Sequence, residues 1–328
     1  MIIEALLLIV GLALLLGGGD LLVRGGSALA RRRGVPPLAG GVSSVAFGRS
    51  APELAVNVLA ATGGQSEISF GNIMGSNMAN IGLVLGIAAL ISPVPVKLPL
   101  IRREIPMMLL ATLLAAVAGL DEWIKSDVQQ YDRSDGLILL LLFGVFLYYT
   151  IAEIVDRSRG GEAFEGAETF APPGGSPPSL PLSSLMTLAG VASLALGGRF
   201  TVSSGSELAR GFGVSEALIG MTMIAIGTSL PELATSVIAA MRKETALAVG
   251  NIIGSNIFNL LFVLGVTATI APVRVPPGGA LDIAVVLALT LGVLLFSIGK
   301  RRLIVRRAGA VLLAVYCGYL AIRSFVLI

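Results

Sequence analysis

The chain contains no histidine, a single cysteine and a single tryptophan among 328 residues, and only 13% of its residues are charged. Without histidine there is no imidazole metal ligand and no imidazole proton relay. One cysteine, Cys317, excludes an intramolecular disulfide. A soluble domain carries about a quarter charged residues, so the shortage of charge argues against an ordinary globular surface. Apolar sequence fills the space: 55% of residues are hydrophobic and the mean hydropathy is +0.90. The pI near 9.2 does not point to nucleic acid, because Lys and Arg sit in short segments between apolar runs, where they set membrane orientation. The opening stretch MIIEALLLIVGLALLLGGGDLLVRGG has no basic leader and no small-residue cleavage site, and reads as a retained first span.

Apolar runs near the ~20-residue bilayer length recur at 2–22, 37–62, 68–92, 104–121, 135–156, 182–200, 214–241, 246–271, 280–299 and 303–327. The expected fold is an all-α polytopic membrane protein of about ten transmembrane helices. Residues 157–181 are polar and rich in Gly, Pro and Glu, so they read as a flexible linker between 1–156 and 182–328.

Shifting the chain by 179 positions aligns residues 11–96 with 190–275 without a gap, and 39 of these 86 positions are identical. A period of half the chain means duplication, not a solenoid. Five spans per half is an odd number, so the second half enters the membrane in the opposite direction, as two inverted five-helix repeats. Loop charge agrees. With the N-terminus outside, sixteen Lys and Arg face the cytoplasm, among them Arg31, Arg32, Arg33, Lys97, Arg102, Arg103, Arg242, Lys243, Lys300 and Arg301. Six face outward: Lys125, Arg133, Arg199, Arg210, Arg274 and Arg323. The expected location is the cell inner membrane, multi-pass, with both termini outside and the linker cytoplasmic.

Within the duplication, AFGRSAPELAVNVLAA (46–61) matches AIGTSLPELATSVIAA (225–240). Each copy carries one glutamate in an apolar run, Glu53 and Glu232. An isolated carboxylate there costs several kcal/mol, and two at matched positions of an inverted repeat meet at the midplane. Pro52 and Pro231 cannot donate a backbone hydrogen bond, which leaves the carbonyls of Gly48 and Gly227 without their helical partners. Broken helix at membrane depth is tolerated where it is buried in protein or lines a cavity. Carboxylate, carbonyl and hydroxyl oxygens together suit Ca²⁺ and Na⁺ and not softer metals. The next span adds more oxygen, as GNIMGSNMAN (71–80) and GNIIGSNIFN (250–259). Ser76 and Asn80 share a helix face at i, i+4, as do Ser255 and Asn259, with Asn72 and Asn251 continuing it. Gly71, Gly75, Gly250 and Gly254 read as close-packing positions, and Asn77 and Asn256 as bridges between helices.

The doubled AFGRSAPEL…GNIMGSN and AIGTSLPEL…GNIIGSN resembles the paired α-repeats of the Ca²⁺/cation antiporter superfamily, most closely those of prokaryotic sodium/calcium exchangers, over nearly the whole chain. The resemblance implies a midplane cation site in which Glu53 and Glu232 are the carboxylates and Ser76, Asn80, Ser255 and Asn259 are ligands. Ser50 and Ser229 match the small polar residues before the proline, and Thr228 would offer its backbone carbonyl. It implies a non-enzymatic exchange of Na⁺ for Ca²⁺ by alternating access, with the first and sixth spans sliding against the rest, no cofactor beyond the transported ions, and the lipid bilayer and inorganic cations as partners. Potassium-dependent relatives carry aspartate at the position of Asn259.

Two ionised glutamates give a charge near −2, balanced by one Ca²⁺ or two Na⁺, so an empty site crosses the membrane interior at high cost. Protons could replace Na⁺, since desolvation favours the protonated carboxyl. That makes an H⁺/Ca²⁺ antiporter the alternative, although the G-N-x-x-E form usual in such relatives is absent. Arg49 stands where the second repeat has Thr228. It pairs with Glu53 or the cavity mouth, or snorkels away, or marks a paralogue with altered ion selectivity; the first is the placement expected. Asn57, matching Ser236, compensates sterically or by polarity.

Overall fold

The computed structural model describes residues 1–32, 50–120, 129–159, 178–241, 245–298 and 302–326. Eleven helices carry these residues: α1 (Ile2–Arg32), α2 (Ala51–Thr62), α3 (Ser66–Ile91), α4 (Ile105–Gly119), α5 (Arg133–Arg159), α6 (Leu180–Phe212), α7 (Glu216–Thr228), α8 (Leu230–Met241), α9 (Thr245–Ile257 continuing through Phe258–Val263 and Leu264–Ile270), α10 (Gly279–Ser297) and α11 (Arg306–Val326). Six stretches among the described residues are long and apolar enough to cross a membrane: Ile2–Gly26, Ser66–Ile91, Arg133–Ala152, Leu180–Phe212, Val249–Ile270 and Gly279–Ser297. The others expected from sequence differ in form. The run at 214–241 is interrupted at Ser229. The run at 104–121 is the 15-residue α4. The run at 37–62 is described only from residue 50.

Burial separates the helices into two kinds. α3 and α9 are 83% and 72% buried along their apolar windows, against 22–39% for the other four spans. Polar side chains within a membrane span face the bundle interior and not lipid, and α3 and α9, which carry the Asn and Ser residues, are the central pair. Each departs from α-geometry at the same place in the repeat. Ala79–Leu85 and Phe258–Val263 are π-helical, 179 positions apart. Such widened turns cluster at functional sites because the extra residue re-aims the side chains.

The two longest helices pack antiparallel. Gly11, Gly18 and Gly25 of α1 fall at seven-residue intervals. A Cβ at these positions would lie 3.0 Å from Gly197 O, 3.0 Å from Gly190 O and 2.8 Å from Ser183 O of α6. Small residues permit this backbone contact. Between α4 and α10, Thr112 and Thr290 place their hydroxyls 3.4 Å apart, both buried.

The described residues are mostly helical, as expected. Two short antiparallel pairs join the halves: β1 (Val94–Pro95) with β4 (Leu303–Ile304), and β2 (Gln130–Tyr131) with β3 (Val273–Arg274). Loop backbone that cannot hydrogen-bond within itself finds a partner here. Val96 N donates to Arg302 O at 2.8 Å and Val275 N to Gln129 O at 2.9 Å, an equivalent bond in each pair. Tyr131, fully buried, donates its hydroxyl to Ala115 O at 3.0 Å and anchors β2 to α4. One expectation about charge changes. Arg199, Arg210 and Arg323, expected among the outward-facing charges, lie within helices, and Arg323 is only 2% exposed.

Candidate cation site

The site begins where two helices start. Ser50 (φ −93°, ψ 4°) and Ser229 (φ −85°, ψ 4°) leave helical geometry in the same way, one residue before α2 and α8 begin. Proline is compatible with the first turn of a helix, where its missing N–H would be unsatisfied anyway, and Pro52 and Pro231 sit there. Leu54 N donates to Ser50 O at 2.9 Å and Leu233 N to Ser229 O at 3.0 Å, so each break is followed at once by a regular turn. Glu53 and Glu232 lie in these first turns and are each 4% exposed. The positive end of a helix dipole favours a carboxylate at that position. Ser50, Ser229, Thr228 and Gly227 are buried beside them. Gly48 and Arg49 lie outside the described residues.

The helices carrying the glutamates pack crosswise. α2 lies against the π-segment of α9 that bears Asn259, and α8 against the π-segment of α3 that bears Asn80. Each glutamate's helix therefore meets the other repeat's asparagine segment. The π-turn also alters the expected face, since Asn80 falls within the widened segment and Ser76 before it. Asn72, Ser76, Asn80 and Asn259 are buried, whereas Asn251 and Ser255 are half-buried.

Hydrogen bonds define which oxygens are committed. Thr228 was expected to offer its backbone carbonyl; its hydroxyl is engaged as well, donating toward Asn72 Oδ1 at 3.4 Å and Ala225 O at 3.3 Å. Asn80 Nδ2 donates to Asn256 Oδ1 at 3.1 Å, and Asn256 Nδ2 to Met108 Sδ at 3.7 Å. Asn256 is thus the bridge between helices that the sequence suggested, while Asn77 donates to Ile73 O of its own helix at 2.8 Å. Among the described residues, Ser76 Oγ and Asn80 Oδ1 are buried without a hydrogen-bond partner. Such a group costs about 1–3 kcal/mol, and hard oxygens in that condition are suited to a Na⁺ or Ca²⁺ ion. Among the described residues no three His, Cys, Asp or Glu side chains gather. The candidate donors are two carboxylates, hydroxyls and amides, a composition suited to a hard cation.

Asn57 has a polar role. Its amide donates to Glu53 O at 2.7 Å and its carbonyl accepts from Ser69 Oγ at 2.9 Å, tying α2 to α3. The second repeat has Ser236 and Ala248 at these positions, and Ser236 Oγ is buried without a hydrogen-bond partner among the described residues. The packing role of the first glycine pair is borne out. A Cβ on Gly71 would lie 2.2 Å from Ala217 O, and one on Gly75 2.5 Å from Met221 O, so α3 touches the backbone of α7.

Sequence reasoning singled out neither Asp135 nor Asp282, both buried carboxylates. Asp282, on the apolar helix α10, is 0% exposed and lies 3.2 Å from Arg323 Nε. Tyr319 donates its hydroxyl to Asp282, and Arg323 also donates to Pro277 O at 2.9 Å. The partners stand about forty positions apart, a separation no local pattern reveals.

The family model described as sodium/calcium exchanger protein matches residues 3–152 and 182–325. The inner membrane protein YrbG of Escherichia coli K12 is 38% identical over 279 residues, 84% of this chain and 83% of that protein. The sodium/calcium exchanger MaX1 of Methanosarcina acetivorans is 28% identical over 361 residues, covering 99% of each. A solved structure of the sodium-calcium exchanger NCX_Mj, soaked with 10 mM Na⁺ and 10 mM Sr²⁺, superposes with a TM-score of 0.62 at 32% identity over 98% of both chains.

Proposed function

The chain belongs to the sodium/calcium exchanger family, and from that premise we propose that it couples Na⁺ entry to Ca²⁺ exit at a midplane site built on Glu53 and Glu232. As a member of this family it is a membrane-embedded cation/calcium antiporter and not an enzyme, and the ions it handles are its transported substrates. The observation that carries the finer reading is the crossed pairing described above. Two buried glutamates each lie in the first turn of a helix that starts at a break, and those helices pack on the π-segments bearing Asn259 and Asn80. Ser50, Ser229, Ser76, Ser255 and the carbonyls of Gly48, Gly227 and Thr228 complete the ligand set. One Ca²⁺ or two Na⁺ balance the two carboxylates, and competition for shared oxygens couples the ions reciprocally.

We read the architecture as ten spans in two inverted halves, in the inner membrane, with both termini outside. The strand pairs support this. β1 and β4 come from loops expected in the cytoplasm, and β2 and β3 from loops expected outside, so each pair joins segments assigned to the same side. The backbone contact of α1 with α6 supports motion of these two helices as one body against the rest. The deciding measurement is Ca²⁺ uptake into proteoliposomes loaded with Na⁺, compared with vesicles carrying only a pH gradient. Na⁺-driven uptake is expected. Uptake driven by the pH gradient alone, with none driven by Na⁺, would overturn the Na⁺ coupling.

A further inference from the structure

We propose that Met108 and Asn256 are positioning residues that fix which end of the Asn80 amide faces the cation, an inference that rests on the site proposed above. The reasoning starts from donor and acceptor capacity. A thioether sulfur accepts a hydrogen bond but cannot donate one. Met108, fully buried on α4, therefore takes the NH₂ end of the Asn256 amide, which lies 3.7 Å away. This turns Asn256 Oδ1 toward α3, where it meets Asn80 Nδ2 at 3.1 Å. Asn80 is left with its carbonyl oxygen outside the chain of bonds, buried and without a hydrogen-bond partner among the described residues. The polarity of the relay is set at its far end: reverse the Asn256 amide, and two NH₂ groups face each other unless Asn80 reverses too.

A neutral amide is the one ligand type for which this matters. A carboxylate presents oxygen from either end, whereas a reversed asparagine presents NH₂, which repels a cation. Met108 belongs to neither repeated motif, and nothing in its own neighbourhood marks it as more than core packing. The relay runs from α4 of the first half through α9 of the second to α3 of the first, and so also ties the site's geometry to packing between the halves.

The test uses the full-length protein in proteoliposomes. Met108→Leu keeps volume and apolarity, a swap cores tolerate, but removes the acceptor. Asn256→Ala removes the relay's centre. Both are measured alone and in an Asn80→Asp background, with half-saturating Ca²⁺ for uptake, maximal rate and direct Ca²⁺ binding as readouts. Asn256→Ala should raise the half-saturating Ca²⁺ concentration about tenfold, the usual effect of losing an outer-shell orienting group, and Met108→Leu should raise it by a smaller factor. Maximal rates should stay within about twofold. In the Asn80→Asp background both shifts should shrink toward unity, because a carboxylate has no wrong end. Equal shifts in the two backgrounds, or a loss confined to maximal rate, would reduce Met108 and Asn256 to packing residues. A wild-type protein that binds no Ca²⁺ would overturn the site itself, and this inference with it.

Discussion

The buried pair Asp282–Arg323 offers a quantitative test of how this fold holds charge. Asp282 is 0% and Arg323 2% exposed, with Nε 3.2 Å from Oδ1. At that distance and an effective dielectric of ~20, the attraction is about 5 kcal/mol. Removing two charges from water offsets much of that gain, so the intact pair adds little net stability. Removing one partner is a different matter. Arg323→Met leaves a buried carboxylate held, among the described residues, by Tyr319, and the expected loss is about 3–5 kcal/mol. Thermal unfolding of the detergent-solubilised protein should report this as a lower midpoint, on the order of 10 °C. Adding Asp282→Asn should recover most of it, since the amide carbonyl still accepts from Tyr319 and no charge remains. The refuting result is a double variant as unstable as Arg323→Met alone, or a single variant that loses under about 1 kcal/mol, the range of an exposed ion pair.

Glu53→Gln and Glu232→Gln should each lower Ca²⁺ uptake by at least about a hundredfold at unchanged protein abundance, because the one remaining carboxylate, a charge near −1, no longer balances a divalent ion; uptake above a tenth of wild type in either variant speaks against the site. Arg49→Thr, which makes the first repeat match the second, should strengthen Ca²⁺ binding if the guanidinium faces Glu53, and direct binding measurements would detect the change. Asn57→Ala should cost about 1–3 kcal/mol in thermal unfolding through loss of the tie to Glu53 O and Ser69, whereas Ser236→Ala, whose hydroxyl has no hydrogen-bond partner among the described residues, should be neutral or stabilising. Gly71→Ala should lower abundance and thermal stability by about 1–3 kcal/mol, since its Cβ would meet Ala217 O at 2.2 Å.

Several features of the site were legible before any coordinates. The proline beside each glutamate announces a helix break, because it lacks an N–H, and both breaks fall at Ser50 and Ser229 as that chemistry requires. The glycines of the first GNxxGSN motif announce close packing, and Gly71 and Gly75 meet the backbone of α7. Less legible was the π-geometry at Asn80 and Asn259. It moves these side chains relative to Ser76 and Ser255, yet Ala79–Leu85 and Phe258–Val263 contain no proline to announce a change of helix type.

By itself, then, the sequence determined the membrane setting, the duplication, the two carboxylates and the breaks beside them. These follow from composition and from rules that act within a few residues, where proline, glycine and apolar run length have local consequences. Tertiary structure alone decided who meets whom. The pairing of Asp282 with Arg323, the tie of Asn57 to Ser69, and the relay from Met108 through Asn256 to Asn80 span from 12 to 176 positions. Each is set by the requirement that a polar group removed from water find a partner wherever packing brings one.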